Sequence, residues 1–207
     1  MRKQIRPPAP PQFVEHAAKW CERWLQLKAK TPGAKFPWYS IDGKSAREWA
    51  LPMLREMNQG HCSFCDASPL DDRTKEPIEH FRPKGNKDRP EFAALAYEWS
   101  NLYYCCPFCQ SEKAERWHDA LIAPDEIVYE FSRYFRFDFT GGETGGKIEP
   151  NPDASDSDRA RAAATIQLYG LDKAERRRGR MKALRDWSNH KVQVIDESPY
   201  RDFVEPG

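Results

Sequence analysis

The sequence predicts an α+β domain in which a strand–loop–strand–helix core, stapled by paired cysteines, is flanked by N- and C-terminal helices and a small β-hairpin. Two Cys-x-x-Cys pairs bracket the middle of the chain, apolar side chains recur at helical spacing nearer the ends, and glycines interrupt an aromatic stretch. The chain accordingly divides into an N-terminal basic arm with helices at 1–60, the core at 61–125, and a hairpin with basic helices at 126–207.

The N-terminal part is predicted to hold an arm and two helices. Residues 1–11 are basic and rich in proline, which is typical of an extended segment. A helix is predicted over residues 12–30, because large apolar side chains recur there every three or four residues. Ser45 and Glu48 form a capping box, so a second helix is predicted to begin there and to run to about Asn58. The residues between the two helices predict a loop.

Two short strands and a helix are predicted around the cysteine pairs. The first strand covers residues 76–81, and the second covers residues 97–105, where aromatic and alternating side chains occur. The polar stretch 83–92 between them predicts a loop. Pro107 suits the first position of a helix, which is predicted over residues 107–120.

The C-terminal part predicts a hairpin followed by two helices. The aromatic residues 127–140 and the stretch 147–149, separated by glycines, form the predicted hairpin. A helix is predicted over residues 156–169, because capping aspartates begin it and a glycine follows it. Residues 172–175 carry a second capping signal, which predicts a basic helix over residues 172–194.

Composition indicates a polar, folded protein. Aromatic residues make up 13% of the 207 residues, seven of them tryptophan, and the mean hydropathy is −0.87. No apolar run approaches the ~18 residues that a membrane span needs. The first residues lack the apolar stretch of a signal peptide. We therefore expect a cytoplasmic protein without a membrane partner.

Charge is distributed unevenly although the net charge is only +1. Residues 1–60 carry 11 basic and 5 acidic side chains, whereas residues 61–125 carry 8 basic and 12 acidic ones. Basic flanks around an acidic middle suit a polyanion that is held at the periphery, with cations at the centre. Charge alone favours the simpler interpretation, in which the basic helices are ordinary solvated surfaces.

The matched cysteine pairs predict a structural zinc site. Cys62 and Cys65 form one pair, and Cys106 and Cys109 form the other at the same spacing. Disulfides are not expected in a chain without a secretion signal. Two such knuckles can present four thiolates to one Zn²⁺ in tetrahedral geometry. Cys105 breaks the spacing and is left out of the predicted ligand set.

The residues between and beyond the knuckles resemble a known nuclease motif. In order, the chain carries Cys-x-x-Cys, Glu-His followed by a proline, Asn-Leu, Cys-x-x-Cys, and a lysine three residues after Gln110. This series resembles the HNH nuclease motif. Glu-His-Phe-Arg-Pro-Lys, at residues 79–84, and Trp-x-Asn-Leu, at residues 99–102, are also similar to the HNH proteins of retron and Septu-type anti-phage systems, and the similarity extends over about residues 55–180.

The resemblance implies a fold, an activity and partners. The fold is a ββα-metal core that a four-cysteine zinc site staples. The activity is endonucleolytic hydrolysis of DNA phosphodiester bonds with a catalytic divalent ion, Mg²⁺ or Mn²⁺. The context is bacterial defence against phage, in which such nucleases work with an ATPase subunit.

Three residues of the motif have predicted roles in the chemistry. His80 is the candidate general base, because a neutral imidazole near pH 7 can take a proton from the attacking water. Glu79 is the candidate ligand of the hard divalent cation. Side chains alternate along a strand, so we expect a bend that lets both residues converge. Asn101 is expected to hold the His80 loop through backbone hydrogen bonds.

The remaining candidates bind metal or phosphate. Gln110 stands where the pattern usually has asparagine or histidine as a further metal ligand, and its side chain is one methylene longer than asparagine. The site has adjusted by that length, another group substitutes, or activity is lost. Arg82, Lys84 and Lys113 are candidate phosphate contacts, and Lys113 is also a candidate helix cap.

Two other functions stay open. The chain could be a catalytically inactive zinc-stabilised nucleic-acid-binding or scaffold module, which Gln110 favours. It could also be a zinc-dependent RNA-processing factor. The basic residues of the last predicted helix, among them Arg176 and Arg180, bind the DNA backbone or form a solvated face.

Overall fold

The computed structural model describes residues 1–70, 78–141 and 145–204. Its N-terminal part contains the two predicted helices, which are confirmed. Helix α1 spans Pro11–Lys30 and helix α2 spans Ala46–Met57. The Ser45 side chain accepts from the backbone of Glu48 and the Glu48 side chain accepts in return, so the predicted capping box begins α2. Between the helices, strands β1 (Ser40–Ile41) and β2 (Lys44–Ser45) form a small hairpin.

The middle of the chain contains two paired strands and a short helix. Strand β3 (Ile78–His80) pairs antiparallel with β4 (Leu102–Tyr104), with His80 opposite Leu102. Short 3₁₀ turns at Pro90–Leu95 and Trp99–Asn101 precede β4. The predicted second strand is therefore too long at its start, because the chain still turns until Asn101. The predicted residues 76 and 77 of the first strand lie outside the described residues.

Helix α3 is shorter than the sequence predicts. It spans Pro107–Lys113, with Pro107 at its first position, and it ends where Ala114 adopts a φ of 48°. A positive φ is costly for alanine and stops a right-handed helix. The prediction of helix up to residue 120 is wrong for this reason.

The C-terminal part contains a hairpin and four α-helices within the described residues. Its elements are α4 (Phe131–Tyr134), β5 (Phe135–Asp138), β6 (Lys147–Pro150), α5 (Asp156–Tyr169), α6 (Ala174–Ser188) and α7 (Arg201–Val204). Strands β5 and β6 form the predicted hairpin, although α4 replaces the first part of the predicted strand. Helix α5 ends at Gly170, whose φ of 60° is left-handed, as predicted.

Helix α6 departs from the prediction at both ends. Lys173 is its N-cap and makes no capping hydrogen bond with its side chain. The Asp172 carboxylate instead accepts from the Ile148 amide and from the Arg177 guanidinium, so it ties the hairpin to α6. The helix ends at Ser188 and not near residue 194.

One hydrophobic cluster runs through the three parts of the chain, from Phe13 in α1 to Tyr169 in α5. The Phe64 ring, in the first knuckle, stacks on Tyr169 with centroids 4.0 Å apart. The first knuckle and α5 therefore share one core. Among the described residues, no helix combines the length and apolar character that crossing a bilayer requires.

Candidate metal centre and active site

Four cysteine sulfurs converge between the knuckles. The ligand atoms of Cys62, Cys65, Cys106 and Cys109 all lie within 4.8 Å of one another, and all four residues are buried. The Cys65 and Cys106 sulfurs are 3.7 Å apart. A tetrahedral ion with Zn–S distances of ~2.3 Å requires sulfurs ~3.8 Å apart. The cluster thus fits a metal ion such as zinc, and the predicted ligand set is the one that converges.

Backbone hydrogen bonds arrange these sulfurs. Cys106 is the N-cap of α3, and its sulfur accepts from the Cys109 amide at 3.4 Å. The Cys106 amide in turn donates to the Cys62 sulfur at 3.3 Å. The first turn of a helix has amides without partners inside the helix. Here the Cys106 sulfur accepts from one of these amides, that of Cys109. The start of α3 is therefore part of the metal centre.

An arginine from the C-terminal part completes the surroundings of the sulfurs. The Arg176 guanidinium donates from Nη2 to the Cys106 sulfur at 2.9 Å and to the Cys109 sulfur at 3.4 Å. It also lies 4.2 Å from the centre of the Phe108 ring. Four thiolates around one Zn²⁺ leave a net negative charge, which a buried guanidinium offsets. Arg176 therefore joins α6 to the metal centre.

The basic residues of this helix were predicted either to bind the DNA backbone or to form a solvated face. For two of them both predictions are wrong. Arg176 and Arg180 are buried, so neither is a solvated side chain or free to contact a DNA backbone. Arg180 donates to the Gly146 carbonyl at 2.6 Å and to the Leu171 carbonyl at 2.9 Å. These arginines hold α6 against the hairpin and the knuckle.

The first knuckle is held by a third buried arginine. The Arg201 guanidinium, in α7, donates to both carboxylate oxygens of Asp66, at 2.7 and 3.1 Å. The two side chains are 1% and 2% exposed. Such a bidentate pair fixes direction as well as distance. The C-terminal part of the chain thus contacts both knuckles.

The side chains of Glu79 and His80, neighbours on strand β3, contact different partners. The Glu79 carboxylate contacts Lys113 of α3, whereas the His80 imidazole contacts Ala96 and aromatic residues of the N-terminal part. Both residues lie within the regular pairing with β4, so their side chains alternate between faces. The bend that was expected to let them converge is absent from this strand.

Glu79 forms a buried ion pair. Its Oε1 accepts from the Lys113 ammonium at 2.6 Å, and the same ammonium donates to the His80 carbonyl at 2.9 Å. Lys113 is 0% exposed and Glu79 is 8% exposed. Burial raises the pKa of Glu79 above its ordinary value, while the Lys113 charge opposes this shift. The Lys113 ammonium is enclosed in this arrangement, so the structure does not place it at the surface, where a phosphate contact was predicted.

The described residues do not assemble the divalent-ion site that the resemblance implies. Lys113 already supplies the positive charge next to Glu79. The Gln110 side chain donates from its amide nitrogen to the Ile78 carbonyl at 2.9 Å. Among the described residues, the four cysteines are the set of His, Cys, Asp and Glu ligands that comes together. The donors on this face of β3 fit an internal ion pair better than a hard cation.

The His80 imidazole is held in one orientation. Its Nε2 lies 2.9 Å from the Ala96 carbonyl oxygen, and because a carbonyl only accepts, Nε2 carries the proton. Nδ1 is then the basic nitrogen, and the Lys84 ammonium lies 3.3 Å from it. The ring is 4% exposed.

The electrostatics of His80 keep it neutral. Burial and the Lys84 charge hold the pKa of His80 well below its ordinary value, against the opposing effect of the Ala96 carbonyl. A neutral imidazole with its second nitrogen fixed on a backbone carbonyl is the form in which histidine accepts a proton. The Lys84 ammonium therefore lies on the Nδ1 side of this neutral imidazole.

Asn101 makes the hydrogen bonds that were predicted for it. Its Oδ1 accepts from the Arg82 amide at 2.7 Å, and its Nδ2 donates to the Arg82 and Leu95 carbonyls, each at 3.0 Å. Asn101 is buried. It fixes the turn that follows His80 to the segment that carries Ala96.

The two remaining phosphate candidates differ in exposure. Arg82 is exposed, with its guanidinium 5.7 Å from the centre of the Trp117 ring. Lys84 is half-buried beside His80, and its ammonium lies 5.0 Å from the centre of the Phe36 ring. Both cations follow His80 within four residues, so they flank the same turn.

Sequence reasoning missed three side chains at these sites. Phe36 and Trp38 pack against His80, and Arg176 contacts the cysteine sulfurs. Two large aromatic residues within a predicted loop are a signal that could have singled out Phe36 and Trp38, because a solvated loop has little use for them. Nothing in the basic helix distinguishes Arg176 from its neighbours.

Comparison with known proteins adds no assignment. No protein-family model matches this chain, and no curated protein matches it. The resemblance to HNH proteins therefore rests on the motif residues alone.

Proposed function

We propose that this protein is an HNH-type endonuclease that hydrolyses DNA phosphodiester bonds. The observation that carries the proposal is the state of His80, whose Nε2 is fixed by the Ala96 carbonyl and whose Nδ1 is left as a base beside the Lys84 ammonium. A base and a cation at one position suit a phosphate and its attacking water. The Cys-stapled core and the ordered motif residues support the same proposal.

The proposed reaction uses this chain's own side chains. Nδ1 of His80 takes a proton from water, and the resulting hydroxide attacks phosphorus. A new P–O bond forms, the bond to the leaving oxygen breaks, and that oxygen takes a proton from solvent. Lys84 and Arg82 neutralise the non-bridging oxygens as charge builds on them.

No step is assigned to a divalent cation, because Glu79 and Gln110 are engaged with Lys113 and the Ile78 carbonyl. The family resemblance implies Mg²⁺ or Mn²⁺, so cleavage is to be measured with each ion and with EDTA. The structural ion is proposed to be zinc at the four cysteines.

The biological setting is proposed from the resemblance alone. It consists of defence against phage in the bacterial cytoplasm, with an adjacent ATPase subunit as the protein partner. Copurification with the product of a neighbouring ATPase gene tests the partner, and loss of phage protection in the His80→Ala strain tests the role.

A second candidate function is a zinc-stabilised nucleic-acid-binding or scaffold module without catalysis. The observation that favours it is the closure of the site, where His80 is 4% exposed and Glu79 is paired with a lysine. This module would bind DNA or a protein partner without cleaving.

Plasmid cleavage separates the two candidates. The wild type, His80→Ala and the control His118→Ala, which alters an exposed histidine, are compared with and without the ATPase. The nuclease proposal expects cleavage by the wild type and the control, and loss by His80→Ala. Cleavage by none of the proteins supports the scaffold, and full cleavage by His80→Ala rejects the base. A parallel RNA substrate tests an RNA-processing activity.

A further inference from the structure

The His80 imidazole lies against two aromatic rings from outside the predicted core. Trp38 stacks on it at an interplanar angle of 26°, with centroids 5.7 Å apart. Phe36 meets it edge-on, at 81° and 5.1 Å. We call these two rings the aromatic wall. Both lie in the segment between α1 and β1, far from the motif in sequence.

The aromatic wall is itself held in place. The Phe36 ring meets Trp24 of α1 at 5.2 Å and the buried Tyr97 at 5.0 Å. The Tyr97 hydroxyl donates to the Pro37 carbonyl between the two wall residues. The wall is therefore packed against α1 and Tyr97.

The wall also reaches the cation beside His80. The Lys84 ammonium lies over the Phe36 ring, 5.0 Å from its centre, and donates to Nδ1 of His80 at 3.3 Å. A ring face attracts a cation, so Phe36 helps to keep the ammonium on the Nδ1 side of the imidazole. One ring thus orients both the proposed base and the proposed phosphate contact.

We propose that Phe36 and Trp38 are positioning residues for the general base, so that the active site includes the N-terminal part of the chain. This inference rests on the proposed nuclease function. The hydrogen bond to Ala96 fixes one nitrogen of the ring, and the wall fixes the ring plane about that bond. Trp38 also covers one face of the imidazole, and Nδ1 is the nitrogen that faces the Lys84 ammonium.

The wall acts on catalysis through orientation and through charge. A ring that can rotate spends less time with Nδ1 aimed at the attacking water, and small misplacements of a reacting group cost large factors in rate. The stacked Trp38 face also stabilises the imidazolium that forms when His80 takes the proton. The loss of either effect is expected to lower kcat. Binding of the substrate, which depends on Arg82 and Lys84, is expected to change little.

Kinetics of Trp38 variants test the proposal. We expect Trp38→Ala to lower kcat for plasmid or oligonucleotide cleavage about tenfold or more, with KM within about twofold of the wild type because the phosphate contacts remain. The conservative Trp38→Phe is expected to recover most of the loss, since it restores a stacked ring. The control Trp49→Ala removes a half-buried tryptophan whose ring lies against Lys44, and it is expected to leave kcat unchanged.

The inference is overturned if Trp38→Ala cleaves like the wild type, if Trp49→Ala loses as much kcat as Trp38→Ala, or if Trp38→Phe recovers none of the lost kcat.

A second measurement does not need nuclease activity. Diethyl pyrocarbonate modification of His80, followed by mass spectrometry, should be faster in Trp38→Ala and unchanged in Trp49→Ala. Equal labelling in all variants overturns the wall even if the wild type cleaves DNA. Faster labelling without any cleavage keeps the wall as a support of the imidazole and rejects the nuclease proposal.

Discussion

A buried lysine changes the role of the carboxylate beside it. Glu79 was expected to hold a divalent ion, yet its oxygen lies 2.6 Å from the enclosed Lys113 ammonium. A buried charge is costly unless it is paired and hydrogen-bonded. Lys113 satisfies both needs of Glu79 and also binds the His80 carbonyl. The pair therefore fixes α3 on the strand that carries the proposed base.

Breaking this pair on one side should destabilise the fold. We expect Lys113→Met to lower the free energy of unfolding by about 3–5 kcal/mol, because it leaves Glu79 buried without a partner. The double variant Glu79→Gln with Lys113→Met removes both charges and should recover much of the loss. Urea denaturation measures each variant, with the exposed Lys182→Met as the control. Equal free energies of unfolding for Lys113→Met and Lys182→Met would argue against a buried ion pair.

Arg176 is the second residue whose role depends on its surroundings. Its guanidinium donates to two of the cysteine sulfurs. Removing a side chain that hydrogen-bonds to a metal ligand typically lowers metal affinity about 10–100-fold. We expect Arg176→Gln to lose zinc to a chelator about tenfold faster than the wild type. Arg178→Gln on the same helix, at a side chain that is 68% exposed, is the matched control. The same release rate from both variants would contradict the assignment.

At the scale of elements, the parts that the sequence predicted are those fixed by local rules. The capping box at Ser45 and the left-handed Gly170 set helix ends through residues within one turn. The early end of α3 has no such local signal. Lys113, the last residue of the helix, pairs with Glu79 on β3, and Ala114 adopts a positive φ directly after it. Neither feature leaves a pattern in the sequence of the segment.

The turn after β3 is an element held by one side chain. Asn101 makes three hydrogen bonds to the backbone of Arg82 and Leu95. Removing it leaves buried backbone groups without partners, each costing about 1–3 kcal/mol. We therefore expect Asn101→Ala to lower stability by about 3 kcal/mol and to lower cleavage as the His80 turn loosens. Thermal denaturation checks this expectation. The control is Asn189→Ala, which changes an exposed asparagine at a helix end. Equal melting temperatures of Asn101→Ala and Asn189→Ala would refute the expectation.

At the scale of the whole molecule, the metal centre joins distant parts of the chain. Cysteines from the middle, Arg176 from α6 and Arg201 bound to Asp66 all meet around the knuckles. The spacing of the cysteines predicted the ligand set, because two matched knuckles need no tertiary information. The arginines and the aromatic wall lie dozens of residues from the groups they contact. Sequence reasoning therefore had no local signal for them, apart from the two aromatic residues in a loop.

Loss of the metal should affect the whole fold. Structural zinc supplies on the order of 10 kcal/mol of folding free energy, so Cys62→Ser should lose both bound zinc and its cooperative unfolding transition. Cys105→Ser changes a buried neighbour outside the cluster and should keep both. Metal content by mass spectrometry and thermal denaturation by circular dichroism check the pair. A stable, metal-free Cys62→Ser protein would remove zinc from the account.

Chemical rescue of His80 tests the central claim most directly. His80→Gly leaves space between Phe36 and Trp38 for a free imidazole, which can take the proton in place of the lost side chain. The account predicts that DNA cleavage by His80→Gly is lost and returns in proportion to added imidazole, while His118→Gly needs none. Cleavage by His80→Gly at the wild-type rate without imidazole would contradict it.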